Sequence, residues 1–122
     1  MTVEEVVRQY KRGENLFEIT IKKWESIKCS MSAVESTGDM AAIIESARTG
    51  GAFCLEYREN CLLCPIQMWC RNPTGAYQTA VRLMYMFATS GQQRYKEQAR
   101  RHINQFLDEM RQYWQESQRR LN

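Results

Sequence analysis

The sequence is poor in several things that would announce a function. No apolar run approaches the length of a membrane span, which argues against a membrane partner. Met1 to Glu5 is acidic and has no apolar core, so a signal peptide is not expected and a cytoplasmic location is. Histidine occurs once, as His102, which excludes an H-E-x-x-H zinc-protease helix. No H-x-E precedes the C-x2-C, so the zinc-deaminase pattern is missing. There is no G-x-S-x-G elbow and no phosphate-binding glycine loop. The adjacent acids Glu4-Glu5 and Asp108-Glu109 face different ways on a helix and make no natural acid–base couple. A non-enzymatic protein is the expectation. A net charge of +3 permits a nucleic-acid partner without arguing for one.

What is present is an ordinary globular composition and an unusual set of cysteines. A hydrophobic fraction of 43% and 122 residues suffice for one domain with its own core, so a metal is not the sole reason to fold. The pattern predicts an all-α domain of four to five helices spanning 1–122, with an irregular metal-binding cysteine loop at about 52–73. Thr2 and Glu5 form a capping box for a helix over Val3 to Lys11. Leu16 to Val34 follow at helical spacing, giving a helix over about Asn15 to Glu35, although Phe17 to Ile21 alternates like a strand. Asp39 is placed to cap a helix through Met40 to Ala47 that stops before Gly50-Gly51. A buried helix is expected over about Ala76 to Ala88, with Ser90-Gly91 as turn and cap. The last segment, with Tyr95, Ala99, Ile103, Phe106, Leu107, Met110, Tyr113 and Trp114 on one stripe, predicts an amphipathic helix of roughly seven turns.

Four of the five cysteines crowd into one stretch, Cys54-x6-Cys61-x2-Cys64-x5-Cys70. A two-residue gap lets neighbouring thiolates turn toward one ion or cluster, and the longer gaps let the chain close around it. Four soft thiolates suit tetrahedral zinc or a cubane of iron and sulfide. Buried free thiols and a pair of disulfides are the competing readings. Spacing alone does not settle zinc against [4Fe-4S]: the base rate for small cysteine-rich domains leans toward zinc, and only a family resemblance leans toward the cluster. Cys29 stands apart, more in keeping with a buried helix thiol than with a fifth ligand. Trp69, inside the loop, suits either a shield for the metal or an exposed anchor for a partner.

The three gaps resemble the [4Fe-4S] loop of the endonuclease III and adenine glycosylase family, a likeness confined to Cys54 to Cys70. It implies that each of the four cysteines ligates one iron. The chain lacks that family's helix-hairpin-helix and its hairpin with a catalytic Asp, so glycosylase activity is not carried over. Cys61-Leu-Leu-Cys64-Pro65-Ile66 with Cys70 is also similar to the core of WhiB-like iron–sulfur regulators, without their downstream Gly-[Val/Ile]-Trp-Gly-Gly turn. It is similar again to the cysteine triplet closing RecB-type nuclease domains, whose other core motifs are missing. Lys23-Trp24, the cysteine loop, Asn72-Pro73-Thr74-Gly75-Ala76-Tyr77 and a helical tail resemble small cysteine-cluster proteins of phages and prophages.

Arg94, Lys96, Arg100, Arg101 and Arg111 are the candidates for contact with DNA or RNA, although interleaved acids also fit a solvated helix face. Lys22-Lys23 and Lys28 are weaker candidates, and His102 reads as a solvated helix residue. The expected function is a metal-cluster binding or regulatory module, with nucleic acid or a protein of a nucleic-acid machine as partner. The alternatives are a redox or oxygen sensor and a structural interaction protein, for which the last helix can serve as a homodimer seam.

Overall fold

A computed structural model describes residues 1–121, with side chains to residue 120. Five longer helices carry the architecture: α1 (Val3–Lys11), α2 (Leu16–Ser32), α3 (Thr37–Arg48), α6 (Ala76–Ser90) and α7 (Gln93–Leu121). Between α3 and α6 lie α4 (Ala52–Tyr57), a 3-10 turn (Cys61–Leu63) and α5 (Gln67–Cys70). There is no strand among the described residues, so the all-α expectation holds. The stretch expected to be an irregular loop is instead a chain of short helical pieces.

Local chemistry explains the first three helix starts. The Thr2 hydroxyl accepts from the Glu5 amide at 3.2 Å, and α1 begins where the capping box predicts. The Asn15 side chain accepts from the amides of Phe17 and Glu18 and opens α2. Phe17 to Ile21 is therefore helical, and its strand-like alternation has no consequence: Ile19 packs with Val6 and Ala52, and Phe17 and Ile21 pack on the main core. Ser36, not Asp39, caps α3. The Ser36 hydroxyl takes the Asp39 amide at 3.2 Å, leaving Asp39 in the first turn, where its charge suits the helix dipole.

Helices α6 and α7 form a hairpin through Gly91, whose φ of 71° lets its amide close on the Phe87 carbonyl at 2.8 Å. Helix α7 also packs on α2, and α3 packs on α6 and α2. The shared core includes Trp24, Met31, Met40, Met84, Phe87, Ile103, Leu107 and Met110. Of the aromatic stripe on α7, Phe106 is buried, while Tyr95, Tyr113 and Trp114 are half-buried. Trp114 stacks over Phe17 with ring centres 6.4 Å apart. A smaller cluster of Val6, Ile19 and Ala52 joins α1, α2 and α4. The cysteine segment thus bridges the molecule: α4 leans on α1 and α2, and α5 leans on α6.

Candidate metal centre

Each piece of the cysteine segment is held by specific contacts. Cys54 sits on α4, which is tied to α1 by the Tyr10 hydroxyl donating to Glu56 at 2.6 Å. The chain then reverses at Arg58, whose φ of 25° is the one positive value at a described non-glycine residue. Cys61 begins the 3-10 turn, and its thiol reaches back to the Arg58 carbonyl at 3.7 Å. Cys64 closes that turn and precedes Pro65. Cys70 ends α5, where the Gln78 side-chain amide from α6 donates to its carbonyl at 2.5 Å. Glycine matters at one place here. A Cβ on Gly50 would stand 3.1 Å from the Cβ of Cys54, so the approach of that loop to α4 is tight.

The four thiols share one electrostatic neighbourhood. Burial pushes the Cys70 thiol up to about 11, and the charges of Cys54, Cys64 and Cys61 add to that rise against a lowering by Arg71. The Cys64 thiol is raised in the same way, by burial first and then by Cys54 and Cys61, while a backbone hydrogen bond at Ile66 opposes. Tyr77 is pushed up to about 12 by burial, then by Cys70 and Cys54. The cysteines are free thiols, which removes the disulfide reading. Cys54 and Cys61 are exposed, and Cys64 and Cys70 are half-buried, so the pure-packing reading does not suit the set. Cys29 lies exposed on α2, which corrects its expected burial.

In donor chemistry alone the four cysteines suit a thiolate-bound metal, but their placement does not assemble a site for one ion. No three His, Cys, Asp or Glu side chains among the described residues stand close enough together to hold one ion. Zinc asks for about 2.3 Å to every sulfur, so the segment would have to draw inward around it. A cubane offers four separate corner irons and accepts thiols set further apart.

Several neighbours of the centre were not legible as such. Lys23 from α2 is only 7% exposed, and its ammonium donates to the Thr49 carbonyl at 2.8 Å. It lines a cavity of about 80 Å³ together with Cys54, Cys70 and Tyr77. Trp69 faces inward rather than serving as an exposed anchor. Its indole N–H donates to Glu109 on α7 at 3.0 Å, and its ring meets Tyr113 edge-on at 5.4 Å. The exposed apolar side chains of the segment are Leu62 (81%), Leu63 (74%) and Met68 (57%). His102 is half-buried, not solvated, and its Nδ1 has no hydrogen-bond partner.

The five basic candidates on α7 divide. Lys96 donates to the Val34 carbonyl at 3.0 Å, just beyond α2. Arg111 pairs with Glu25 of α2 and, at 3.7 Å, with Asp108. Both therefore hold α7 to the fold. Arg94 lies over the Tyr95 ring and donates to its hydroxyl at 2.9 Å. Arg100 and Arg101 are exposed, have no ion pair among the described residues, and line a groove with Lys96, Glu97 and Asn104. No helix among the described residues is long and apolar enough to cross a membrane. No protein-family model, no curated protein and no solved structure matches the chain.

Proposed function

We propose that the chain is a non-enzymatic regulatory or binding module of the cytoplasm whose Cys54, Cys61, Cys64 and Cys70 hold a [4Fe-4S] cluster, with zinc as the alternative occupant. The observation that supports this reading is the placing of four free cysteines at Cys54-x6-Cys61-x2-Cys64-x5-Cys70 within one short segment of the fold. The bound group would supply fixed crosslinks between α4, the 3-10 turn and α5. The chain's own residues fix the orientation of the segment: Tyr10 anchors α4, Gln78 anchors Cys70, and Trp69 covers the side toward α7.

Protein purified without oxygen tests the reading. Iron and sulfide in fourfold ratio to protein, with broad visible absorbance, is the expected result; one zinc per chain and no colour selects the alternative. Neither metal in stoichiometric amount sinks the proposal. The partner proposed is nucleic acid, on the strength of Arg100 and Arg101, exposed and without an ion pair among the described residues. Electrophoretic shift at low salt should appear and weaken in the Arg100→Ala, Arg101→Ala double variant. No shift with DNA or RNA at low salt removes that partner. A redox or oxygen sensor is favoured by the exposure of Cys54 and Cys61, which gives an oxidant access to the centre. Loss of absorbance and of helix content together, on exposure to air, is its signature.

A further inference from the structure

Lys23 is the one buried lysine among the described residues. Its neighbour Lys22 stands in solvent, whereas Lys23 is 7% exposed. No carboxylate lies within ion-pairing distance of it among the described residues. Its nitrogen donates to the carbonyl of Thr49, the residue that ends α3, at 2.8 Å. A lysine that only capped α3 would keep its ammonium in water, as long charged side chains ordinarily do. Here the amine is withdrawn into the wall of the cavity of about 80 Å³.

That cavity has the make-up of a small-molecule site. Trp24, Phe53, Ile66 and Phe106 give it apolar walls, and all four are buried. Arg48 and Gly50, which are exposed, line its mouth. A water needs about 10–15 Å³ of such space, so a ligand of roughly four to six heavy atoms fits. A lysine desolvated in an apolar pocket acts as a nucleophile rather than as a cation, because burial disfavours its charged form. Burial pushes the Lys23 amine below the ordinary lysine value, against a smaller opposing influence from Cys54. Tyr77 also lines the cavity, and its phenol is a donor open to a carbonyl oxygen.

We propose that this cavity is a covalent binding site for a small aldehyde or ketone, captured reversibly as an imine on the Lys23 nitrogen. The nitrogen lone pair adds to the carbonyl carbon, and one nitrogen proton passes to the oxygen. The carbon–oxygen bond then breaks, and the oxygen leaves as water with the second nitrogen proton. No oxidant or reductant takes part, and water reverses the step. Protonated by solvent, the imine keeps one N–H for the Thr49 carbonyl. The proposal is independent of the metal reading and uses no cysteine.

Trapping on the full chain tests it. The protein is incubated near neutral pH with propanal and cyanoborohydride, which reduces an imine to a stable amine, and the adducts are mapped by peptide mass spectrometry. Lys23 should be labelled about ten times faster than Lys22. In urea the two rates should converge, because the cavity is gone. Naphthaldehyde, too large for the cavity, should show no preference for Lys23 in the folded protein. Propanal labelling of Lys23 no faster than of Lys22 overturns the inference. So does a preference that survives unfolding, which would place it in the local sequence, or one shared equally by both aldehydes, which would place it outside the cavity.

Discussion

The helical bundle and the cysteine segment are stabilised by different means. In the bundle, α1, α2 and α3 start on side-chain caps, and α6 and α7 bury Met84, Phe87, Ile103, Leu107 and Met110 almost completely. In the segment, α4, the 3-10 turn and α5 are six, three and four residues long and have no side-chain cap. Helices that short do not persist alone in water. Their apolar side chains at Leu62, Leu63 and Met68 point to solvent instead of into a core. The difference teaches that the bundle carries its own caps and core, whereas the segment is held through the few side chains, Ala52, Phe53 and Ile66, that it buries against the bundle.

The largest effect expected is on the segment. Replacing Cys70 by Ser should abolish stoichiometric metal and open residues 55–63 to protease and hydrogen exchange, with α6 and α7 still protected. Equal protection of both regions with and without metal would erase the distinction. Next is the bundle. Phe87→Ala should cost about 3–5 kcal/mol in urea unfolding, because it empties a fully buried site, and the segment should unfold with it, since α5 rests on α6. Smaller is a pH effect on the metal-free protein. Cys70 is raised from an ordinary value of 9.0 to about 11, so the fold favours the neutral thiol. That stability is complete below pH 9 and is lost as the pH rises through about 11. Solvent screening at this half-buried thiol limits the loss to roughly 1–2 kcal/mol. Tyr77, raised from 10.0 to about 12, adds loss of the same sign at slightly higher pH. Thermal melts from pH 8 to 11 should fall more gently in Cys70→Ser. Smallest is a cap: Ser36→Ala should cost about 1 kcal/mol and leave metal content unchanged.

Much of the bundle could be read directly, because its signals are local. Thr2 with Glu5 marks the start of α1, and the period of the apolar residues on α7 gives its buried face. The candidate centre was legible only as a spacing. That α4 and α5 are helical follows from their leaning on α1, α2 and α6, which no residue of the segment encodes by itself. Lys23 read, with Lys22, as a weak candidate for nucleic-acid contact. Its burial depends on Thr49 and Gly51, 26 and 28 residues away, coming to meet it. Arg111 looked free for a phosphate, yet it answers Glu25 on another helix. Cys29 carries no local signal that distinguishes the exposed side of α2 from the buried one. Pairings between distant residues leave no mark in a short window of sequence.

Of the three tryptophans, Trp69 is the one that adjoins a cysteine in sequence. It stands one residue before Cys70 and is bonded to Glu109 on the long helix that also displays Arg100 and Arg101. A change at the sulfur end of this link is therefore one hydrogen bond away from α7, and emission of a variant that keeps Trp69 as its one tryptophan would follow it.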